Sequence, residues 1–118
     1  MSRARRDFGE WGEEQACCFL QRHGFYIVER NYYTTFGEID IIARKGDDYY
    51  FIEVKSRHDR ELANDDSITY FKKQRLAKAV RAYCYIRNVT DKSIILAGLI
   101  LEVNRLNKKV FFRFCVMC

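Results

Sequence analysis

GEIDIIARKGDDYYFIEVKSR, Gly37 to Arg57, is the stretch on which the reading of the fold turns. Two apolar runs, Gly37 to Ala43 and Tyr49 to Arg57, flank the polar break RKGDD, and each reads as a strand. Strand side chains alternate faces, so Glu38, Asp40 and Ile42 share one face, and Phe51, Glu53, Lys55 and Arg57 share one face of the next strand. A two-residue turn at Gly46-Asp47 has glycine first, as a type II′ turn requires. Lys45 then faces Asp48. Carried back, the same register sets Asp40 opposite Glu53 and Glu38 opposite Lys55, with Cβ atoms about 4.5–5.5 Å apart. Acids are thus built into strands that are otherwise apolar, and two of them face each other.

Outward from this hairpin, Asp7 to His23 reads as a helix. Asp7 and Glu10 form a capping-box-like pair, Phe8, Trp11, Ala16, Phe19 and Leu20 recur at helical spacing, and Gly24 stops the helix. Phe25 to Arg30 reads as a strand. Thr69 to Arg87 reads as a second helix with Leu76, Ala79, Val80 and Tyr83 on one face. SIILAGLILEV, Ser93 to Val103, is apolar almost throughout, as a central strand buried on both faces is. Val110 to Met117 reads as a last strand at an edge. The order is helix, three strands, helix, two strands, which predicts an α/β protein with a mixed β-sheet flanked by helices.

The 118 residues suit one domain spanning 1–118, large enough to bury a core. At 48% hydrophobic and 31% charged, the chain is ordinary and globular rather than disordered. No run reaches the roughly 18 uncharged apolar residues of a membrane span, and MSRARRDFGEWGEE has no apolar segment of a secretory signal. Five cysteines, Cys17, Cys18, Cys84, Cys115 and Cys118, form no disulfide framework, which suits a reducing compartment. A cytoplasmic protein is expected. The pair Cys115 and Cys118 lacks the second ligand pair of a zinc site. A net charge of +5 favours an anionic partner, nucleic acid first.

Like charges facing each other destabilise a sheet, and a divalent cation between them reverses the sign. Hard carboxylate oxygens suit Mg²⁺ or Mn²⁺, which acidify a water and neutralise charge developing on a phosphate. Lys55 beside the acids is placed to hold or deprotonate the water, or to pair with the phosphate. Glu13 lies at the flank of the first helix's buried stripe and offers a third carboxylate to the metal with Asp40 and Glu53, with Glu38 next to them. On the second helix Lys72 points to the packed side, and Lys73, Arg75, Lys78 and Arg81 give a basic surface for a phosphate backbone, extended by Arg57, Arg5 and Arg6. Tyr32, Tyr33 and Phe36, in the loop before Gly37, are candidates for base stacking. The plainer readings are an exposed acid pair with a surface salt bridge, a solvated Glu13 and a solvated basic helix face.

Asp40, twelve residues, then Glu53-Val54-Lys55 resembles the signature of the PD-(D/E)XK nuclease superfamily, which includes restriction endonucleases and archaeal Holliday-junction resolvases. More closely, GEEQACCFL, RNYYTTFGEIDIIA, FIEVKSR and KKQRL, in this order, resemble the YraN family of small bacterial proteins. The resemblance implies an αβββαβ restriction-endonuclease-like core, Glu13, Asp40 and Glu53 as metal-site acids, Lys55 as the catalytic lysine and Lys72 as the basic residue of the second helix. It also implies branched DNA as a substrate, and a homodimer, because resolvases of the superfamily dimerise. The sequence departs from the family at Leu96-Ala97-Gly98, where an Arg-Phe-Asp usually stands, and at Ile39, where the superfamily has proline. Three functions follow for comparison. The first is a Mg²⁺- or Mn²⁺-dependent nuclease acting on DNA. The second is a nucleic-acid-binding module with a degenerate or inactive site. The third is a protein-interaction subunit with a structural acid cluster.

Overall fold

A computed structural model describes residues 3–58 and 70–117. The elements run α1 (Arg3–Arg22), β1 (Tyr26–Thr34), β2 (Gly37–Lys45), β3 (Asp48–His58), α2 (Tyr70–Arg87), β4 (Ser93–Asn104) and β5 (Lys109–Val116). One five-stranded sheet has the order β1-β2-β3-β4-β5. Neighbours are antiparallel except β3 and β4, which are parallel and joined through α2. This is the single mixed sheet with flanking helices that the element order predicts.

The helices close opposite faces. Ala16, Cys17 and Leu20 of α1 bury against Ile41, Ala43, Ile52, Ala97, Leu99 and Leu101. Leu76, Ala79, Val80 and Tyr83 of α2 bury against Ile39, Ile42 and Phe51. The alternation along β3 follows directly: Ile52 faces α1, and Phe51 faces α2. β4 is buried from Ala97 to Leu101, because helix-side apolar groups lie over it and a strand lies on each edge. An ion pair from Arg87 to Glu29 at 2.8 Å ties the end of α2 to β1, and the Arg87 guanidinium lies over the rings of Tyr32 and Tyr83.

Two sequence expectations move. α1 begins at Arg3, so Asp7 and Glu10 lie inside the helix and do not cap it. Helical propensity continues through the basic N-terminal turn, where no proline or glycine interrupts it. β1 runs on to Thr34, past the expected end at Arg30. A bulge between Ile27 and Glu29 and a left-handed Asn31 at φ 52° break the alternation that would have announced this longer strand. Tyr32 and Tyr33 are therefore strand residues paired with Ile39 and Glu38, not loop residues. Thr69, expected to open α2, and Cys118 lie outside the described residues.

The stop at Gly24 holds: at φ 86°, Gly24 donates its N–H to Gln21 O, and Phe25 donates to Leu20 O at 3.0 Å, a Schellman close. At the β2–β3 turn Gly46 takes φ 62°, and Lys45 pairs with Asp48 as read from the type II′ turn.

α1 meets β3 where Gly12, buried, lies against Ser56. A Cβ on Gly12 would run into Ser56 Oγ and sit 2.9 Å from Ser56 Cβ. Gly12→Ala is therefore expected to lower stability by about 1–3 kcal/mol through overpacking, read as a fall in the thermal midpoint. Ser56→Ala in the same chain should recover only part of the loss, since its Cβ remains. Full recovery, or no loss in the single variant, would show that the helix is free to move off the sheet.

Candidate functional site

The predicted hairpin register is present from Lys45↔Asp48 to Ile41↔Ile52 and stops there. Past that point β2 pairs only with β1, through Ile39↔Tyr32, Glu38↔Tyr33 and Gly37↔Thr34. β3 continues with β4, from Glu53↔Gly98 to His58↔Val103. The two strands part, and a mouth opens between them with Asp40 on one lip and Glu53 on the other. Glu38 and Lys55 are thus not ladder partners, although the register carried back would pair them. The side chain of Asp40 replaces the missing ladder contact, with its Oδ2 accepting the Val54 N–H at 2.8 Å.

Glu13 reaches this mouth from α1. It is fixed by Asn31, whose Nδ2 donates to Glu13 Oε1 at 2.9 Å. Carboxylate oxygens of Glu13, Glu38 and Asp40 lie within 4.8 Å of one another. Asn31 carries no signal in the sequence beyond its type, but asparagine tolerates the left-handed backbone that aims its amide at Glu13. Tyr33, also unassigned to the acids from sequence, hydrogen-bonds Glu38, which pushes its hydroxyl pKa up.

On the α2 side a cavity of about 230 Å³ is lined by Phe36, Gly37, Glu38, Asp40, Glu53, Lys72, Arg75, Leu76 and Ala79. Asp40 and Glu38 belong both to this cavity and to the acid trio with Glu13. Glu53 lies outside the trio and shares the cavity with Lys72 and Arg75. Its Oε2 is buried with no hydrogen-bond partner among the described residues. Lys55 is exposed on the same side of β3, close enough for its charge to favour ionised Glu53. Lys73 and Lys78 do not line the cavity; Lys78 is exposed on α2 and Lys73 is half-buried. Arg57 departs from the expected basic surface. It is 3% exposed and paired with Glu102 of β4 at 3.0 Å, because parallel pairing sets the two residues side by side.

Burial pushes the Asp40 carboxyl up to about 8, helped by its hydrogen bond to Glu38 and the charge of Glu13, and opposed by the Val54 N–H. Burial also raises Glu53, against the charges of Lys72, Arg75 and Lys55. These residues fit a hard divalent cation. Three acids offer oxygens close together, and a fourth, Glu53, offers a buried oxygen without a partner among the described residues and has the charges of Lys72, Arg75 and Lys55 nearby.

Without metal, Asp40 keeps its proton in the folded protein up to about pH 8, while the unfolded chain loses it near 3.8. Its contribution is therefore fully present below pH 4 and is lost as pH rises through 8. Asp40→Asn has no proton to lose. In EDTA its unfolding free energy is expected to gain on the wild type steadily between pH 5 and pH 8, by at most about 1.4 kcal/mol per pH unit for one proton, followed by denaturant or thermal unfolding. A difference that stays flat with pH would show that Asp40 is not held neutral.

The sequence profile of the family described as Uncharacterised protein family UPF0102 matches residues 12–118. A UPF0102 protein of Dictyoglomus turgidum is 39% identical over 90 residues, covering 75% of this chain and 76% of its own length. One of Chloroflexus aurantiacus is 42% identical over 86 residues, covering 73% and 68%. One of Sulfurimonas denitrificans is 46% identical over 83 residues, covering 70% and 72%. The matched span contains Glu13, the β2–β3 mouth and α2, and the chain belongs to the UPF0102 family, the family of the YraN proteins.

Proposed function

We propose that this protein is a metal-dependent nuclease that hydrolyses phosphodiester bonds in DNA, branched or otherwise structured DNA included, on a core of the PD-(D/E)XK type. The observation that carries this reading is the parting of β2 from β3 at Asp40 and Glu53, with Lys55 two residues further along the same strand face. An Asp–x₁₂–Glu–x–Lys spacing has a mechanical use in that geometry. The hairpin is long enough to return the chain to the mouth, and the glutamate and lysine then share a side.

Glu13, Glu38, Asp40 and Glu53 are the residues that would hold Mg²⁺ or Mn²⁺. When bound, such an ion acidifies a water and neutralises charge on the phosphate. The chain's own groups do the rest. Val54 N–H and Asn31 fix Asp40 and Glu13, so their oxygens need little reorganisation. Lys55 is exposed at the mouth and is available to pair with a non-bridging phosphate oxygen or to hold the attacking water. Lys72 and Arg75 line the same cavity as the acids and favour the adjoining phosphates.

A nucleic-acid-binding module without useful catalysis is the second reading. Gly98 favours it, since β4 lays Gly98 directly beside Glu53 and supplies no side chain where YraN-like sequences carry an acid.

Mn²⁺ titration by calorimetry is expected to show saturable binding that Asp40→Asn abolishes. A screen of duplex, single-stranded and four-way-junction DNA with Mg²⁺ or Mn²⁺ should then show cleavage of at least one of them, and Lys55→Ala should lower the rate about a hundredfold or more. Equal cleavage by wild type and Asp40→Asn would overturn the nuclease reading. Salt-dependent binding with no product at any metal concentration would leave the binding module.

A further inference from the structure

The three aromatics before Gly37 have three different fates. Tyr32 is core: its ring meets Tyr83 edge-on at 4.9 Å, with Arg87 over it. Tyr33 is 75% exposed but hydrogen-bonds Glu38 through its hydroxyl. Phe36 is 44% exposed, belongs to neither apolar cluster, and lines the cavity with Glu38, Asp40, Glu53, Lys72 and Arg75.

A single exposed phenylalanine is common on protein surfaces. This one is held in place. It sits in the two-residue connection between Thr34 and Gly37, which are paired across β1 and β2. Its N–H donates to Thr34 Oγ1 at 3.0 Å, and that hydroxyl donates to Gly37 O at 2.8 Å. Gly37 takes φ 132°, a conformation that side chains on Cβ disfavour. The ring is thus presented by a braced turn into the lining of a cavity that also holds the acids Glu38, Asp40 and Glu53 from the sheet and the cations Lys72 and Arg75 from α2.

A polymer that places phosphate near Lys72 and Arg75 brings a flat apolar group with it, the base. Base–aromatic stacking is strong and indifferent to sequence. In continuous duplex both faces of each base are already covered by neighbours. A cavity of about 230 Å³ is also below the roughly 300–1,000 Å³ typical of drug-sized ligand sites, and takes one nucleotide's end group rather than a duplex. We infer that Phe36 is a stacking platform for an unpaired base next to the phosphate at this site, and that the chain therefore selects single-stranded nucleic acid, or unpaired nucleotides at a branch, over continuous duplex. The inference rests on the nuclease reading for where the phosphate lies, but not on cleavage.

The test is fluorescence of a single-stranded DNA dodecamer carrying 2-aminopurine, titrated with full-length protein in Ca²⁺. The same oligonucleotide paired into duplex and its RNA counterpart are run alongside. Stacking predicts a quench on binding single strands, with weaker binding of duplex. Phe36→Ala should abolish the quench and weaken single-strand binding about five- to hundredfold, and Phe36→Trp should restore both. Tyr85→Ala, at an 85% exposed ring thirteen residues along α2 from Lys72, should leave the quench as it is. Equal quenching in Phe36→Ala, binding without a quench, tighter binding of duplex, or no binding of either single strand would each overturn the inference. A quench without hydrolysis in Mg²⁺ or Mn²⁺ upholds stacking and removes the nuclease reading. Hydrolysis without a quench does the reverse.

Discussion

The hydrogen bond from Val54 N–H to Asp40 Oδ2 is the contact around which the rest of the molecule is arranged. β3 serves two partners. Its first half is antiparallel to β2, and its whole length is parallel to β4. β2 likewise has β1 along its length and β3 only from Ile41 onward. Where the two part, backbone groups on the inner edges lose their ladder partners, and an unpaired buried N–H costs about as much as a lost hydrogen bond. A side-chain acceptor that is short, rigid and already on β2 solves this for Val54. Aspartate is that acceptor, and its carboxylate also lies within reach of those of Glu13 and Glu38.

Once a carboxyl is fixed there, the surroundings follow electrostatically. Burial and the acids Glu38 and Glu13 penalise its charge. Cations on α2 lower the penalty at Glu53 and line the same cavity. α2 can do this because Leu76, Ala79, Val80 and Tyr83 anchor it over Ile39, Ile42 and Phe51, which puts the first turns, with Lys72 and Arg75, above the opening. Packing, not the charges themselves, sets which lysines and arginines reach the site. That is why Lys78, on the same helix, does not line the cavity.

Much of this was legible in Gly37 to Arg57. The turn at Gly46-Asp47 has one strongly favoured geometry, so the pairing of Lys45 with Asp48 could be carried back to Ile41. Alternation groups Phe51, Glu53, Lys55 and Arg57 on one face, and Phe51 and Glu53 do lie on the side of α2. What failed was the assumption that the register continues. The parting is a tertiary feature: past Ile41 and Ile52 β2 keeps β1 and β3 keeps β4 on their outer edges, and no local pattern in β2 announces it. The same non-local cause hid Arg57, whose pairing with Glu102 depends on two strands brought together by α2. β1 was read short because its bulge and the left-handed Asn31 disguise a strand as a loop, and with it the link from Asn31 to Glu13 was lost.

The remaining question is why a chain of net charge +5 gathers four acids in one opening. Surface charge of one sign steers an anionic polymer toward the protein over about a Debye length, roughly 8–10 Å. At contact that attraction is not selective, and the acids locally oppose it. Phosphate therefore has no favourable seat at the mouth on cationic attraction alone. It gains one when a divalent cation offsets the acids, or when the strand is held by something other than charge. The arrangement separates arrival, governed by α2 and the overall basicity, from seating, governed by Asp40 and its neighbours. A braced aromatic ring at the rim is the uncharged group able to contribute to seating without disturbing either balance.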